Sequence, residues 1–259
     1  MRKIFFTIIL LTSINNIFAQ VNQEIEYTYV DRNNHKCIST LYIKDNESVF
    51  RIDDKRANGM DEKNSTEKNL VFVNNDDIST LFYTNDTISI TRIPLYKSEL
   101  IYDDDGQNLE MNFTGNTKKI NDYNCQEVKI DLNGRKYSIW FTPDVQTNIA
   151  PFRFNGLPGL VIELYEETNK IKLTLNSVKK SSNTDTFDKY KNYILSKKVL
   201  AYGDYEKKVI EIMTTKKKNT IAKMAELKAE ITYEENQSAF TQYLIDIPKN
   251  LVIELQKIN

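Results

Sequence analysis

Histidine, cysteine, paired carboxylates and glycine-rich turns are the usual raw material of catalysis. This chain of 259 residues arranges them in ways that fit little of it. Its one histidine, His35, lies in Asn33-Asn34-His35-Lys36, which reads as an exposed polar turn. A Ser–His–Asp or Cys–His relay would have to use that residue, and no Gly-x-Ser-x-Gly elbow or phosphate-cradling loop accompanies it. One His and two Cys are too few for an ordinary His/Cys zinc centre. Asp103-Asp104-Asp105-Gly106 followed by Glu110 invites a calcium reading, but Gly106 and Glu110 come too early for the EF-hand register, so a hairpin tip is expected. Carboxylates are abundant, yet no pair stands apart as a glycosidase dyad would require. Glu163, inside the apolar run Leu160–Tyr165, looks either into a polar cavity or out to solvent. The sequence therefore assigns no catalytic residue, metal or cofactor, and a non-enzymatic protein is expected.

The distinctive stretch is WFTPDVQTNIAPFRFNGLPGLVIELY, residues 140–165. Trp140 is the only tryptophan. Pro143 ends its strand, and a long connection then carries Pro151, Phe152, Arg153 and Phe154. Gly156-Leu157-Pro158-Gly159 fits a type II turn with Pro158 in the second position and Gly159 at positive φ in the third. Two readings stand side by side. In one, a stiff turn aims a buried central strand. In the other, Trp140, Phe152, Arg153, Phe154 and Leu157 form a surface for a partner. An extended backbone would point Arg153 opposite to the two rings, leaving it exposed if the rings are buried near Trp140.

The elements that must position this stretch are short strands. Ile25, Tyr27 and Tyr29 alternate with Glu24, Glu26 and Thr28, a period of two. Further candidates follow at Cys37–Lys44, Ser48–Asp53, Leu70–Val73, Ser79–Thr84 and Thr87–Ile93, punctuated by Asn/Asp turns. Cys125–Leu132 and Lys136–Thr142 flank Asn133-Gly134, the strongest hairpin signal in the chain. Fifteen Tyr and twelve Phe also favour strands. Residues 204–231 carry apolar positions in steps of three and four that fail at Thr214–Asn219, predicting one kinked helix or two shorter ones. Leu251, Ile253 and Leu255 alternate again, predicting a final strand near 250–256. The expected fold is mainly β: a β-rich α+β domain whose antiparallel sheet is curled or paired into a sandwich or half-barrel, with C-terminal helix or helices packed on it.

Residues 1–19 have the form of an export signal. Arg2 and Lys3 precede the apolar run from Ile4 to Leu11, a polar region follows, and Ala19 stands before the expected cut at Gln20. The mature chain, 20–259, then reads as a single domain without a transmembrane segment. The charge balance, 35 basic against 36 acidic residues in the whole chain, offers no general affinity for nucleic acid. Lys216, Lys217 and Lys218, the only basic cluster, read as a solvated helix face. In an oxidising compartment Cys37 and Cys125 either pair as a disulfide or remain two buried thiols.

Residues 118–180 resemble the GLPGLI family of secreted proteins from Bacteroidetes-type bacteria. The resemblance rests on Tyr123-x-Cys125, on Tyr137–Pro143, and on Pro151-Phe152-x-Phe154-x-Gly156-Leu157-Pro158-Gly159-Leu160, with Val161 in place of the motif's final Ile. It implies a β-rich protein of the periplasm or cell envelope and carries over no catalytic residue. Together these features predict an exported, periplasmic or extracellular, non-catalytic protein that binds a protein, peptide or outer-membrane component. The alternative is a carrier of lipid or another apolar ligand in a cavity between curved sheet and helices.

Overall fold

The computed structural model describes residues 22–31, 34–53, 79–95, 98–104, 109–132, 135–168, 171–226 and 250–258. The expected signal at 1–19, the strand at Leu70–Val73, residues 105–108 of the acidic run and the Asn133-Gly134 turn lie outside the described residues. The hairpin expected around that acidic run is corrected, because the strands before and after it, Ser98–Asp103 and Met111–Ile120, are opposite edges of the sheet and do not pair.

Alternating apolar and polar residues form strands because one face of each can be buried while the other meets water. Eleven strands do so here: β1 Gln23–Val30, β2 Lys36–Lys44, β3 Glu47–Ile52, β4 Thr80–Thr84, β5 Ser89–Leu95, β6 Ser98–Asp103, β7 Met111–Ile120, β8 Tyr123–Leu132, β9 Arg135–Thr142, β10 Leu160–Glu166 and β11 Lys172–Lys180. They make one antiparallel sheet in the order β6-β5-β4-β3-β2-β1-β11-β10-β9-β8-β7. The protein is thus mainly β, as its sequence predicts. Leu132 pairs with Arg135 across the expected β8–β9 hairpin, and β10 has neighbours on both sides.

The sheet is neither doubled into a sandwich nor closed, since its edges β6 and β7 do not pair. It is nevertheless bowed. A flat sheet of eleven strands would hold its edges roughly 48 Å apart at about 4.8 Å per step. The chain from Asp103 to Met111 reaches about 28 Å at most. The β6 edge is capped by the chain itself, for Leu200 N–H donates to Ile101 O (2.8 Å) and Leu200 O accepts from Asp103 N–H (2.9 Å). The β7 edge instead carries a bulge between Phe113 and Thr117 and the exposed Lys118 and Lys119, features that discourage edge-to-edge pairing.

Three helices complete the described residues: α1 Asp185–Leu195, α2 Tyr202–Glu226 and α3 Leu251–Gln256. The sequence reading missed α1, although Phe187, Tyr190 and Ile194 lie at helical spacing and are its buried side chains. They pack on the outer sheet face against Val49, Leu81, Tyr83, Ile90 and Ile101. The predicted helix near 204–231 corresponds to α2, which runs unbroken through Thr214–Asn219. Its buried stripe, Tyr205, Val209 and Met213, ends there, and Thr214 returns its hydroxyl to Ile210 O (2.7 Å). Lys217, read as solvated, donates to Leu255 O (2.7 Å) at the end of α3. The predicted final strand is corrected to α3. Leu251 and Leu255 are one helical turn apart and buried, while Ile253 points out, so the same three apolar residues suit either period.

The inner face holds the main core. Ile25, Tyr27 and Tyr29 of β1, Phe50 of β3, Phe82 of β4 and Ile139 of β9 contribute to it. Beyond it, α2 and α3 cover Ile93, Leu95, Leu100 and Tyr102. No described helix is long and apolar enough to cross a membrane.

The two cysteines do not pair. Cys37 on β2 and Cys125 on β8 have four strands between them, about 24 Å at the usual strand spacing. The registers also place them on opposite faces. A reducing agent should therefore leave the melting temperature unchanged, and a thiol titration of the denatured, unreduced protein should count two. A count of zero would refute this arrangement.

Candidate functional site

Pro143 ends β9, and the chain from 143 to 159 places Phe152 and Phe154 against the rings of the inner face. Local hydrogen bonds fix it: Ala150 N–H to Asn155 Oδ1 (2.7 Å), Gly156 N–H to Asn148 O (2.7 Å) and Leu160 N–H to Val145 O (3.2 Å). Phe152 packs edge-on against Tyr29, Phe50, Phe82 and Phe154, and Phe154 lies tilted against Tyr137. One pair of rings thus touches both β4 and β9, six positions apart in the sheet, which is a second sign that the sheet bows around this loop.

The reading of Phe152, Arg153, Phe154 and Leu157 as a partner surface is corrected, since all four are buried. Arg153 fails to point outward because Phe152 takes a left-handed φ of 59°, so residues 151–153 turn and the alternation of an extended segment does not apply. The Arg153 guanidinium instead meets Asp104 at 2.8 Å, with side chains 6% and 2% exposed. Thr91 (3.0 Å) and Ser89 (3.1 Å) donate to the other Asp104 oxygen. Burial lifts the Asp104 carboxyl above its ordinary range, against the opposing pull of Arg153, Thr91 and Ser89. This cluster ties the loop to the end of β6.

The turn is also corrected. Gly159 has a positive φ, but at 159° it is nearly extended rather than the roughly 80° of a type II turn. Leu160 N–H bonds Val145 O instead of closing on Leu157. Glycine is required here for space, as a Cβ would collide with the Thr142 carbonyl and lie 3.0 Å from Pro143 N. Gly156 supplies the left-handed corner, with φ 93°.

Trp140 follows Ile139 on β9 and so projects from the opposite, outer face, while remaining part of the same buried apolar cluster as the loop rings. On the outer face, Lys118 of β7 and Glu163 of β10 reach toward each other and meet above the indole. The ammonium stands 4.0 Å from the ring centroid and 3.0 Å from Glu163 Oε2. Lys172 takes Glu163 Oε1 at 2.8 Å. Beside the ring, Glu127 accepts from Ser138 (2.7 Å), Thr114 (2.9 Å) and Asn116 (2.8 Å). Trp140 is 7% exposed, and its Nε1–H has no acceptor among the described residues. A buried donor left so is uncommon and costly. Burial raises the Glu163 carboxyl, but hydrogen bonds from Lys172 and Lys118 outweigh it and hold the group below the ordinary glutamate range. Of the two sequence readings of Glu163, the outer face is the one realised, though its side chain is only 16% exposed beneath Lys118 and Lys172.

A depressed acid stabilises the folded arrangement above its unfolded pKa, about 4.3, and the contribution is lost as pH falls through the folded value. Emission from Trp140, the only tryptophan, should therefore shift below about pH 4.3 as Lys118 leaves the ring, and Glu163→Gln should lack that step. An identical acid titration in both proteins would show that the clasp does not govern the indole.

Lys118 and Glu127 went unnoticed in the sequence. Lys118 and Glu163 are 45 positions apart and join only through the sheet register. His35, read as an exposed turn residue, is half-buried beyond a left-handed Asn34, and its backbone N–H donates to Asp31 (2.9 Å).

Residues 84–204 match the family model described as N-glycanase peptide, N-terminal domain. Among solved structures, two crystal forms of PNGF-II are similar. The P21 form is 15% identical with a TM-score of 0.49, covering 72% of this chain and 32% of that chain. The C2 form is 16% identical with a TM-score of 0.46, covering 70% and 31%. The chain thus spans about a third of the length of the PNGF-II chains it matches. An uncharacterized conserved protein from Thermus thermophilus is 9% identical with a TM-score of 0.38, covering 71% of this chain and 91% of that one. No curated protein matches the sequence.

Proposed function

We propose that this chain is a non-catalytic binding module of an exported protein, and that it holds a protein or peptide partner on the outer face around Trp140. The observation that carries the reading is the indole itself. It is a large aromatic side chain with an unanswered N–H, and the Lys118–Glu163 ion pair lies over its ring on the outer face. Among the described residues, outer-face side chains of β1 and β11, farther along the same face, such as Glu26, Thr28 and Asn176, are half-buried or exposed. Aromatic anchors ringed by charge are typical of binding surfaces. The match of residues 84–204 to an N-terminal domain model supports a role as a module beside a larger machinery, and the resemblance to GLPGLI proteins supports the envelope as its setting. The loop occupies the inner face that an apolar ligand would need, which favours surface binding over carriage.

The test is paired affinity capture from a solubilised envelope extract with wild type and Glu163→Lys. The reading requires that a partner retained by wild type be lost by the variant at equal folded fraction. Equal retention sinks it. Export is tested separately by intact mass, which should begin at Gln20.

A further inference from the structure

We infer that the Trp140–Glu163 site is a receptacle for a cationic side chain of the partner, arginine or lysine, which Lys118 holds closed by occupying it from within. This rests on the reading of the outer face as the binding surface and names the chemistry of what binds there.

The site already displays its preference. An ammonium 4.0 Å from the ring centroid is held by the negative face of the indole, and the same ammonium is paired with a carboxylate at 3.0 Å. Ring face and carboxylate come from β9 and β10, two adjacent strands in the middle of the β7–β11 half of the sheet, so their relative placement is rigid. The occupant comes from β7, an edge strand, on a flexible stem with its side chain 38% exposed. Glu163 divides its oxygens between two lysines, Lys172 on Oε1 and Lys118 on Oε2. Departure of Lys118 therefore leaves one oxygen free while Lys172 still holds the carboxylate in position. Glu127, fully bonded to Ser138, Thr114 and Asn116, stays charged beside the ring, because those hydrogen bonds outweigh its desolvation.

A guanidinium suits this site better than the ammonium it replaces, because its planar face stacks on an indole while its edge donates to a carboxylate. The indole N–H adds a second requirement. It is buried without an acceptor among the described residues, and a peptide brings backbone carbonyls together with its cation, whereas a free metal ion brings none. Exchange of one cation for another preserves the local charge, so displacement of Lys118 leaves no buried carboxylate unpaired.

The experiment uses the full chain and the emission of its single tryptophan. The probe is a capped Gly-Arg-Gly peptide, and the control is the same peptide with citrulline, which keeps the shape and loses the charge. Lys118→Met keeps most of the apolar stem and removes the competitor. It should bind the arginine peptide about tenfold more tightly than wild type, and the citrulline peptide should not respond. Adding Glu163→Gln to Lys118→Met should abolish the response. Lys118→Gln serves as the second opened variant, and melting temperatures close to wild type establish that both fold. Equal binding of the two peptides, or no gain on opening the site, overturns the assignment even where envelope capture depends on Glu163. Discrimination of the peptides with capture unaltered in Glu163→Lys keeps the cation site and instead removes the outer face from partner capture.

Discussion

Gly159→Ala should unfold a large share of the protein under conditions where the wild type is intact, and Gly159→Val should do so more completely. The added Cβ would overlap the Thr142 carbonyl oxygen and lie 2.7 Å from Thr142 C and 3.0 Å from Pro143 N, all backbone atoms. Backbone cannot step aside as a side chain does, and Thr142 is itself paired with Leu160 across β9 and β10. Relief would have to separate two central strands. Overpacking and lost pairing together imply roughly 3–5 kcal/mol. Gly115→Ala is the control, since its Cβ meets nothing within 4 Å and only the left-handed φ of 77° resists it, at about 1 kcal/mol. Denaturant midpoints measure both. Comparable midpoints for Gly159→Ala and wild type would show that the loop does not press on Thr142 as described.

Arg153→Ala is the second large effect. The pair it breaks is almost wholly buried, and removing one partner strands the other, at about 3–5 kcal/mol. The penalty should depend on pH in a definite sense. Burial already holds the Asp104 pKa above its ordinary value, so its contribution to stability is fullest below the unfolded value of about 3.9 and declines as pH rises through the folded one. Without Arg153 that decline is steeper, so the gap between variant and wild type should be wide at neutral pH and narrow toward about pH 4. A gap constant with pH would mean that Asp104 is not the group left unpaired. Arg153→Met combined with Asp104→Leu should recover much of the loss, because an apolar pair of similar bulk needs no desolvation. Phe154→Ala, which empties a fully buried ring site, should cost a comparable roughly 3–5 kcal/mol with no dependence on pH.

What was legible in the sequence was local. Alternation placed β1, β8 and β9, an apolar run placed β10, the Asn-Gly pair located a hairpin, and the stretch from Trp140 to Tyr165 was singled out as distinctive. Its orientation was not legible. That depended on a left-handed Phe152, a conformation that a bulky residue adopts only when surrounding rings over-determine it. The clasp over Trp140 was hidden for another reason. Its charged partners come from β7 and β10, and nothing near Lys118 in the chain refers to Glu163. The last helix was misread because Leu251, Ile253 and Leu255 suit both periods, and only packing on α2 decides between them.

The strand order has a consequence for how the molecule is made. Every pairing in the sheet joins neighbours along the chain except one, β1 with β11, where Gln23 meets Lys180. The fold is therefore two meanders, β1 to β6 and β7 to β11, sewn along a single seam. Each meander can assemble from short-range contacts as it is synthesised, whereas the seam waits for β11 and carries nearly all of the long-loop closure. Until then β1, translated before the other described strands, has Ile25, Tyr27 and Tyr29 in place and one edge bare. A chain halted before Lys172 would keep that edge permanently, and such a truncated product, with a complete first meander and no seam, is the species from which aggregation should start.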